Sequence, residues 1–389
     1  MIPSGRKLSF LSNCKLLIIF VAFMLSCLVS CKKISNEPAG KNYSNELKYA
    51  RQLKMWTDKE GSKFAEVYSD DNYSVPIGLY IFPNRREEAE RYQEEFPNAV
   101  IINHPSKNLL VYSSVFTSAI DELGAFDTIG GVVDAQYFTD PKIKSSIASG
   151  RIKDYGTSQL PSSELLIALK PSLALVSFYN GMEVSALKSA EIPIVYMADN
   201  LETNPLGRAE WIKFLAYIAG RPEKGEEIFQ KVERNYNALK AKATESSNRP
   251  TILVENMYEG IWYVPGGNSY AAHLIEDAGG KYIWSDNKDA GSLSLSFEDV
   301  LGKAKDADIW LLKLFGTDLS ADKLKAMDER NMLFKPAQVG NVWYSNTETS
   351  GLFDEFPYHP DLLLNDYLLI FHPELTGESV PHYFKRMAQ

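Results

Sequence analysis

From Val111 onward, short apolar runs alternate with stretches of helical period, the pattern of an α/β protein. Leu173 to Phe178 and Ile192 to Met197 predict buried strands, with a helix from about Met182 to Ala190 between them. Residues 206–243 read almost continuously as helix, and Ile228, Val232, Tyr236, Leu239 and Ala243 fall on one stripe. Gly220-Arg221-Pro222 predicts a break into two helices, because proline suits a first helical turn. Residues 246–250 then stop the pattern, and a second alternation begins. Its strand candidates are Thr251 to Glu255, Asp308 to Phe315 and Asn341 to Ser345. Its helix candidates are Ser269 to Ala278, Phe297 to Ala307, Ala321 to Arg330 and Asp361 to Phe371. Upstream, the pieces Val75 to Phe82 and Ala99 to Asn103 flank a charged helical stretch from Arg85 to Glu95, which predicts an extra subdomain. The expected fold class is α/β: an N-terminal lobe over 44–204 including the extra subdomain, an inter-lobe helical segment over 205–245, and a C-terminal lobe over 249–389. One long, rigid backbone helix joins the two lobes as a stiff pair.

The first 30 residues stand apart. Arg6, Lys7 and Lys15 precede the apolar run Leu16 to Leu28, with no acidic residue, which is the pattern of a secretory signal peptide. The run is shorter than the roughly 20 residues a spanning helix needs. It ends in Leu28-Val29-Ser30-Cys31, which resembles a bacterial lipobox with cleavage before Cys31 and lipid on its thiol. Residues 31–43 then have the small, polar composition of a flexible tether. Cys14, Cys27 and Cys31 are the 3 cysteines of the chain, so the mature protein has no thiol left for disulfides, metal ligation or nucleophilic catalysis.

With 389 residues, 45% hydrophobic and 23% charged, the chain is long enough for two cores. Its 41 Lys and Arg against 50 Asp and Glu give a net charge of -9, which argues against a general nucleic-acid binder. His104, His273, His359, His372 and His382 show no i, i+4 pairing, which disfavours a bare zinc or manganese site against a pre-chelated cargo. Phosphate loop, nucleophile elbow and dinucleotide fingerprint are all missing from the sequence. A binding role without an enzymatic activity or a cofactor of its own is therefore expected. The alternative is a cell-envelope hydrolase built on an unrecognised carboxylate pair.

Two segments repeat one local design. In Ser162 to Pro171 and in Ser296 to Lys305 a serine can cap a short helix, with Glu164 or Glu298 in the first turn. Asp299 completes a capping box with Ser296. Singly, each glutamate reads as a helix-start residue. As a matched pair on two lobes, they suit docking onto basic residues of a partner.

These segments, with Gly266-Gly267-Asn268-Ser269, Ala278-Gly279-Gly280, residues 204–214 and the tail words Pro360 to Leu364 and Phe371 to Leu375, resemble the substrate-binding lipoproteins of iron-chelate and cobalamin ABC importers. The resemblance covers about Val111 to Leu375. It implies two α/β lobes with a shallow ligand cleft between them, little closure on binding, and Glu164 and Glu298 meeting arginines of the permease. It also implies a protein lipid-anchored at Cys31 on the periplasmic side of the envelope. Such a protein captures an iron chelate (siderophore or haem-like) or a corrinoid such as cobalamin and delivers it to a membrane permease and its ATPase. The sequence departs from cobalamin binders at Ser158 and Ser292, where tryptophans would precede the two glutamates. Tyr137, Phe138, Tyr179, Trp262 and Tyr263 stand at other matching points and are the expected aromatic walls for a large flat ligand. Arg208, at a helix start, is placed either to grip a ligand carboxylate or hydroxamate or to pair with a local acid. Phe353, Phe356 and Tyr358 form a second-rank group.

Overall fold

Two five-stranded sheets carry the fold in the computed structural model, which describes residues 39–69, 75–377 and 379–388. The signal segment and Cys31 lie outside the described residues. The first sheet is wholly parallel, with Leu109–Val111 at its centre between Ile129–Val132 and Leu173–Ser177, and with Lys153–Asp154 and Ile194–Met197 at its edges. The second sheet has Thr251–Val254 between Lys281–Tyr282 and Ile309–Leu314. Val342–Asn346 follows, and the tail strand Lys385–Arg386 closes the edge antiparallel. Parallel strands covered on both faces need apolar residues at successive positions, and Leu173–Ser177 and Ile309–Leu314 are buried along nearly their whole length. In each sheet the strand order reverses beside the first strand, which opens a crevice outside the carboxyl ends of the strands.

The helical stretch between the sheets is three helices: Pro205–Glu210, Ile212–Ile218 and the 22-residue Pro222–Ala243. Pro222 sits in the first turn of the long helix, as its missing N–H allows. The stripe Ile228, Val232, Tyr236 and Ala243 is buried, and Leu239 is partly buried against the same core. The long helix is tied to the second lobe by Tyr236 Oη to Asp277 at 2.7 Å, Lys240 to Asp277 at 2.7 Å and Asn235 to Asp361 at 3.0 Å. One contiguous apolar core runs from Leu53 through the inter-lobe helices to Met387. The two lobes thus share one packed core through these helices.

The subdomain ahead of the first sheet is four-stranded: Leu53–Thr57, Lys63–Val67, Gly78–Phe82 and Val100–Ile101. Asp58 shapes its first turn by accepting from the N–H groups of Glu60 and Ser62, both at 2.9 Å. A strap of chain before this sheet is fastened to the inter-lobe region by two buried carboxylates. Glu210 accepts from the N–H groups of Lys48, Tyr49 and Ala50 at 2.8–3.0 Å. Glu202 accepts from Arg51 and Gln52 N–H and from the Trp211 indole at 2.8–3.0 Å. Asp366 does the same for the C-terminal tail, taking the N–H groups of His382, Tyr383 and Phe384.

Candidate functional site

A pocket of about 350 Å³ lies between the lobes. The first lobe contributes the turn Asn200 to Thr203 and Arg208; the second contributes Tyr270, Ser292, Lys313, Phe353 and Phe356, among others. Arg208 reaches it because Asn204 caps the helix Pro205–Glu210, accepting from Leu206 and Gly207 N–H at 2.9 and 3.2 Å. Gly207 lets this helix press against the strap. A Cβ there would stand 3.0 Å from Tyr49 O and 3.1 Å from Glu202 Oε2.

The guanidinium of Arg208 is held three ways. Its Nε donates to Asp199 Oδ2 at 3.1 Å, and its Cζ lies 5.5 Å from the Tyr270 ring centre and 5.4 Å from that of Phe356. Those two rings meet edge-on at 5.5 Å, and the Tyr270 hydroxyl donates to Phe356 O at 3.0 Å. Burial pushes the Tyr270 phenol far above its ordinary range, so it stays neutral and serves as a donor. Lys313, in the strand Ile309–Leu314, is ion-paired with Glu255. The arrangement offers donors and aromatic faces together, the combination that suits a planar ligand with acceptor oxygens at its rim.

A larger space of about 560 Å³ lies on the other side of the helix Leu352–Glu355, lined by Asp121, Thr139, Asp140, Glu348, Asp354 and others. It is polar and acidic, without the paired rings of the first pocket, and polar contacts join the lobes beside it. Thr139 donates to Asp354 at 3.0 Å, and His359 Nε2 lies 2.7 Å from Glu122 Oε2. The smaller pocket is therefore the one that combines aromatic faces with cations. Among the described residues no group of three or more His, Cys, Asp and Glu is placed to hold a metal ion.

Of the residues singled out from sequence, Arg208 lines this pocket, as do the second-rank Phe353 and Phe356. Tyr137, 68% exposed, ends the 3-10 helix Ala135–Tyr137 after the strand Ile129–Val132, and Tyr179, about half exposed, stands on the loop after Leu173–Ser177. Tyr263 is exposed on Ile261–Pro265. None of the three is among the residues lining the pocket. Trp262 and Phe138 correct the expectation. Trp262 is 0% exposed, donates from Nε1 to Val254 O at 3.1 Å and stacks on Trp310 at 5.7 Å. Period-two alternation turns it inward where Tyr263 turns outward. Phe138 is buried in the same core cluster as the first sheet, and Tyr358 is buried too. Both have their faces covered by packing.

Tyr270 and Lys313 were missed by sequence reading. Lys313 had a signal: a lone cation inside an otherwise apolar strand, Ile309–Leu314. Tyr270 is the first residue of a helix capped by Ser269 Oγ, which accepts from Ala272 N–H at 3.2 Å. Ser292, at one of the positions of the absent tryptophans, lines the pocket, whereas Ser158 donates its N–H to Asp134 at 3.2 Å.

Glu164 and Glu298 are exposed in the first turns of Ser163–Leu169 and Phe297–Ala304. Ser162 accepts from Leu165 N–H at 3.3 Å, and Ser296 and Asp299 form the reciprocal capping box. Glu298, 77% exposed, has Arg330 Nη1 at 3.6 Å.

Residues 111–333 match the sequence profile of the family described as periplasmic binding protein. The chain is similar to an uncharacterized lipoprotein of Methanocaldococcus jannaschii, 28% identical over 95% of this chain and 94% of that one. Among solved structures it resembles the periplasmic heme-binding protein RhuT from Roseiflexus sp. RS-1 in apo form, with TM-score 0.54 and 19% identity over 69% of this chain and 99% of that one. It also resembles the TroA-like periplasmic binding protein FepB from Veillonella parvula, with TM-score 0.55 and 16% identity over 75% of this chain and 98% of that one.

Proposed function

The chain belongs to the periplasmic binding protein family, and from that membership we propose that it is the lipid-anchored substrate-binding protein of an ABC importer for an iron chelate, haem-like or siderophore, or a corrinoid. The observation that carries this reading is the inter-lobe pocket, where Arg208 lies against Tyr270 and Phe356 with Lys313 across the cleft. A ring system of such a ligand lies against the aromatic faces, and its polar rim meets the cations. The role is capture and release, with no bond made or broken.

The long helix Pro222–Ala243 and the shared core support a cleft that changes little on binding. Glu164 and Glu298, one on each lobe, present their carboxylates to arginines of the permease. Lipid at Cys31 keeps the protein at the periplasmic face of the membrane; the tether expected over residues 31–43 ends earlier, since Ala39–Asn42 forms a 3-10 helix and Tyr43 stacks on Trp56 of the subdomain. Three coloured ligands test the binding role: haemin, cyanocobalamin and ferric desferrioxamine B, incubated with the detergent-solubilised protein and desalted. Retention of one chromophore at one per chain is expected, and retention of none defeats the reading. Cys31→Ser should move the protein out of the membrane fraction while that retention is unchanged.

A further inference from the structure

Arg208 is fixed in the site by a residue that does not itself line the pocket. Asp199 opens the short turn Asp199–Leu201 after the strand Ile194–Met197, is 2% exposed, and accepts a hydrogen bond from Arg208 Nε–H at 3.1 Å. It lies close to a second buried carboxylate, that of Glu202. Burial first, and the charge of Asp199 among the lesser causes, raise the Glu202 pKa above its ordinary value. Asp199 is tolerated as a buried carboxylate because it is paired with Arg208, and that pairing fixes the geometry of the guanidinium.

The rings of Tyr270 and Phe356 restrict the plane of the guanidinium, but a ring cannot choose which edge of the fork faces it. A carboxylate on Nε can. With Nε engaged, the Nη1 and Nη2 groups form no hydrogen bond among the described residues, while the side chain lines the pocket and keeps 16% of its surface accessible. Two parallel N–H donors on one planar edge match the two oxygens of a carboxylate. Lys313, whose ammonium has three donors and one acidic partner in Glu255, stands in the opposite lobe's wall of the same pocket.

We propose that Asp199 is a positioning residue of the ligand site. It holds Arg208 by Nε so that both Nη groups stay presented to the cleft, and thereby sets the site for a metal chelate with free carboxylates at its rim. This rests on the pocket being the cargo site of an importer. It selects one chemistry within that role, since a chelate whose periphery has only neutral amides gains nothing from the fork.

The test uses the detergent-solubilised full chain and two carboxylate-bearing probes, haemin and ferric dicitrate, with cyanocobalamin as the carboxylate-free comparison. Wild type should bind at least one carboxylate-bearing probe more tightly than cyanocobalamin. Asp199→Asn, nearly isosteric, should weaken that probe tenfold or more, and Arg208→Ala should do the same. The double variant should bind no more weakly than Arg208→Ala alone, because Asp199 acts through Arg208. A merely structural Asp199 would instead add its own loss to the double variant. Tighter binding of cyanocobalamin, unchanged binding by Asp199→Asn, or additive losses would each overturn the proposal. A measurement without any ligand separates it from the import reading: the Arg208 Nε–H proton should exchange with water at least tenfold more slowly in wild type than in Asp199→Asn. Failure of every probe to bind wild type removes the import reading and with it the carboxylate specificity. Equal exchange rates remove the positioning role itself.

Discussion

Trp262 and Tyr263 are neighbours on one strand, and their fates differ because successive side chains leave a strand on opposite faces. Trp262 is enclosed by Trp310, Phe297 and Phe334, with ring centres 5.5–6.2 Å away. Trp262→Ala should therefore lower unfolding stability by about 3–5 kcal/mol, read from urea denaturation. Phe353 presents the opposite case, exposed and on the pocket wall. Phe353→Ala should leave the urea midpoint unchanged and weaken retention of the bound chromophore about tenfold, close to 1.4 kcal/mol. A stability loss at Phe353 together with a binding loss at Trp262 would reverse the two assignments. Arg208 was legible as a candidate because of its residue type and helix-start position, whereas its acid partner was not: the structure pairs its Nε with Asp199 and places Arg208 among the residues lining the pocket.

At the scale of elements, the strap and the tail are held by carboxylates that accept runs of consecutive backbone N–H groups. Removing such an acceptor orphans backbone donors in partly buried surroundings. Glu210→Ala should cost about 2–4 kcal/mol and accelerate amide exchange at Lys48, Tyr49 and Ala50. Unchanged exchange at those amides would show that the strap is held by something else. Glu202 adds a pH signature. Burial is the largest influence on it and raises its pKa above the ordinary 4.5, although the Trp211, Gln52 and Arg51 hydrogen bonds oppose this. The folded state then binds the Glu202 proton more tightly than the unfolded chain does. Its contribution is most favourable below pH 4.5 and declines as pH rises through the folded value. Glu202→Gln should flatten that decline in a pH series of urea midpoints. The four-stranded subdomain was only half legible: Gly78–Phe82 and Val100–Ile101 fell within expected strands, whereas the hairpin Leu53–Thr57 and Lys63–Val67 carries charges that mask its pattern.

For the molecule as a whole, His359 bridges the lobes through Glu122. Burial alone would lower its pKa, but the Glu122 hydrogen bond and charge, with Asp361 and Glu355, outweigh burial and raise it above 6.5. A raised histidine contributes stability in full below pH 6.5 and loses it as pH rises through the folded value. The difference in thermal midpoint between wild type and Glu122→Gln should be largest in mildly acidic buffer and shrink towards alkaline pH. A constant difference across that range would deny the linkage. Glu164 and Glu298 belong to the same scale, since their use depends on one face of each lobe. Glu164→Lys with Glu298→Lys should abolish uptake in cells with chromophore retention intact, and normal uptake would end the docking proposal. Arg330, 3.6 Å from Glu298, should make Glu298→Ala alone milder than the reversal, because neutralisation removes only one side of a local pair.

Hydrophobic period and order determined the α/β class, the long helix and the two capped glutamates, because burial of parallel strands and capping of helix ends act over a few neighbouring residues. Tertiary structure alone decided which aromatics form a wall. Tyr270 and Phe356 lie far from Arg208 along the chain and meet it only because the lobes pack around the inter-lobe helices, with Lys313 lining the same pocket. Trp262, equally aromatic and equally near a strand end, is packed inside instead. Residue type states what a side chain can do, and the packing of distant segments decides which face of it remains open.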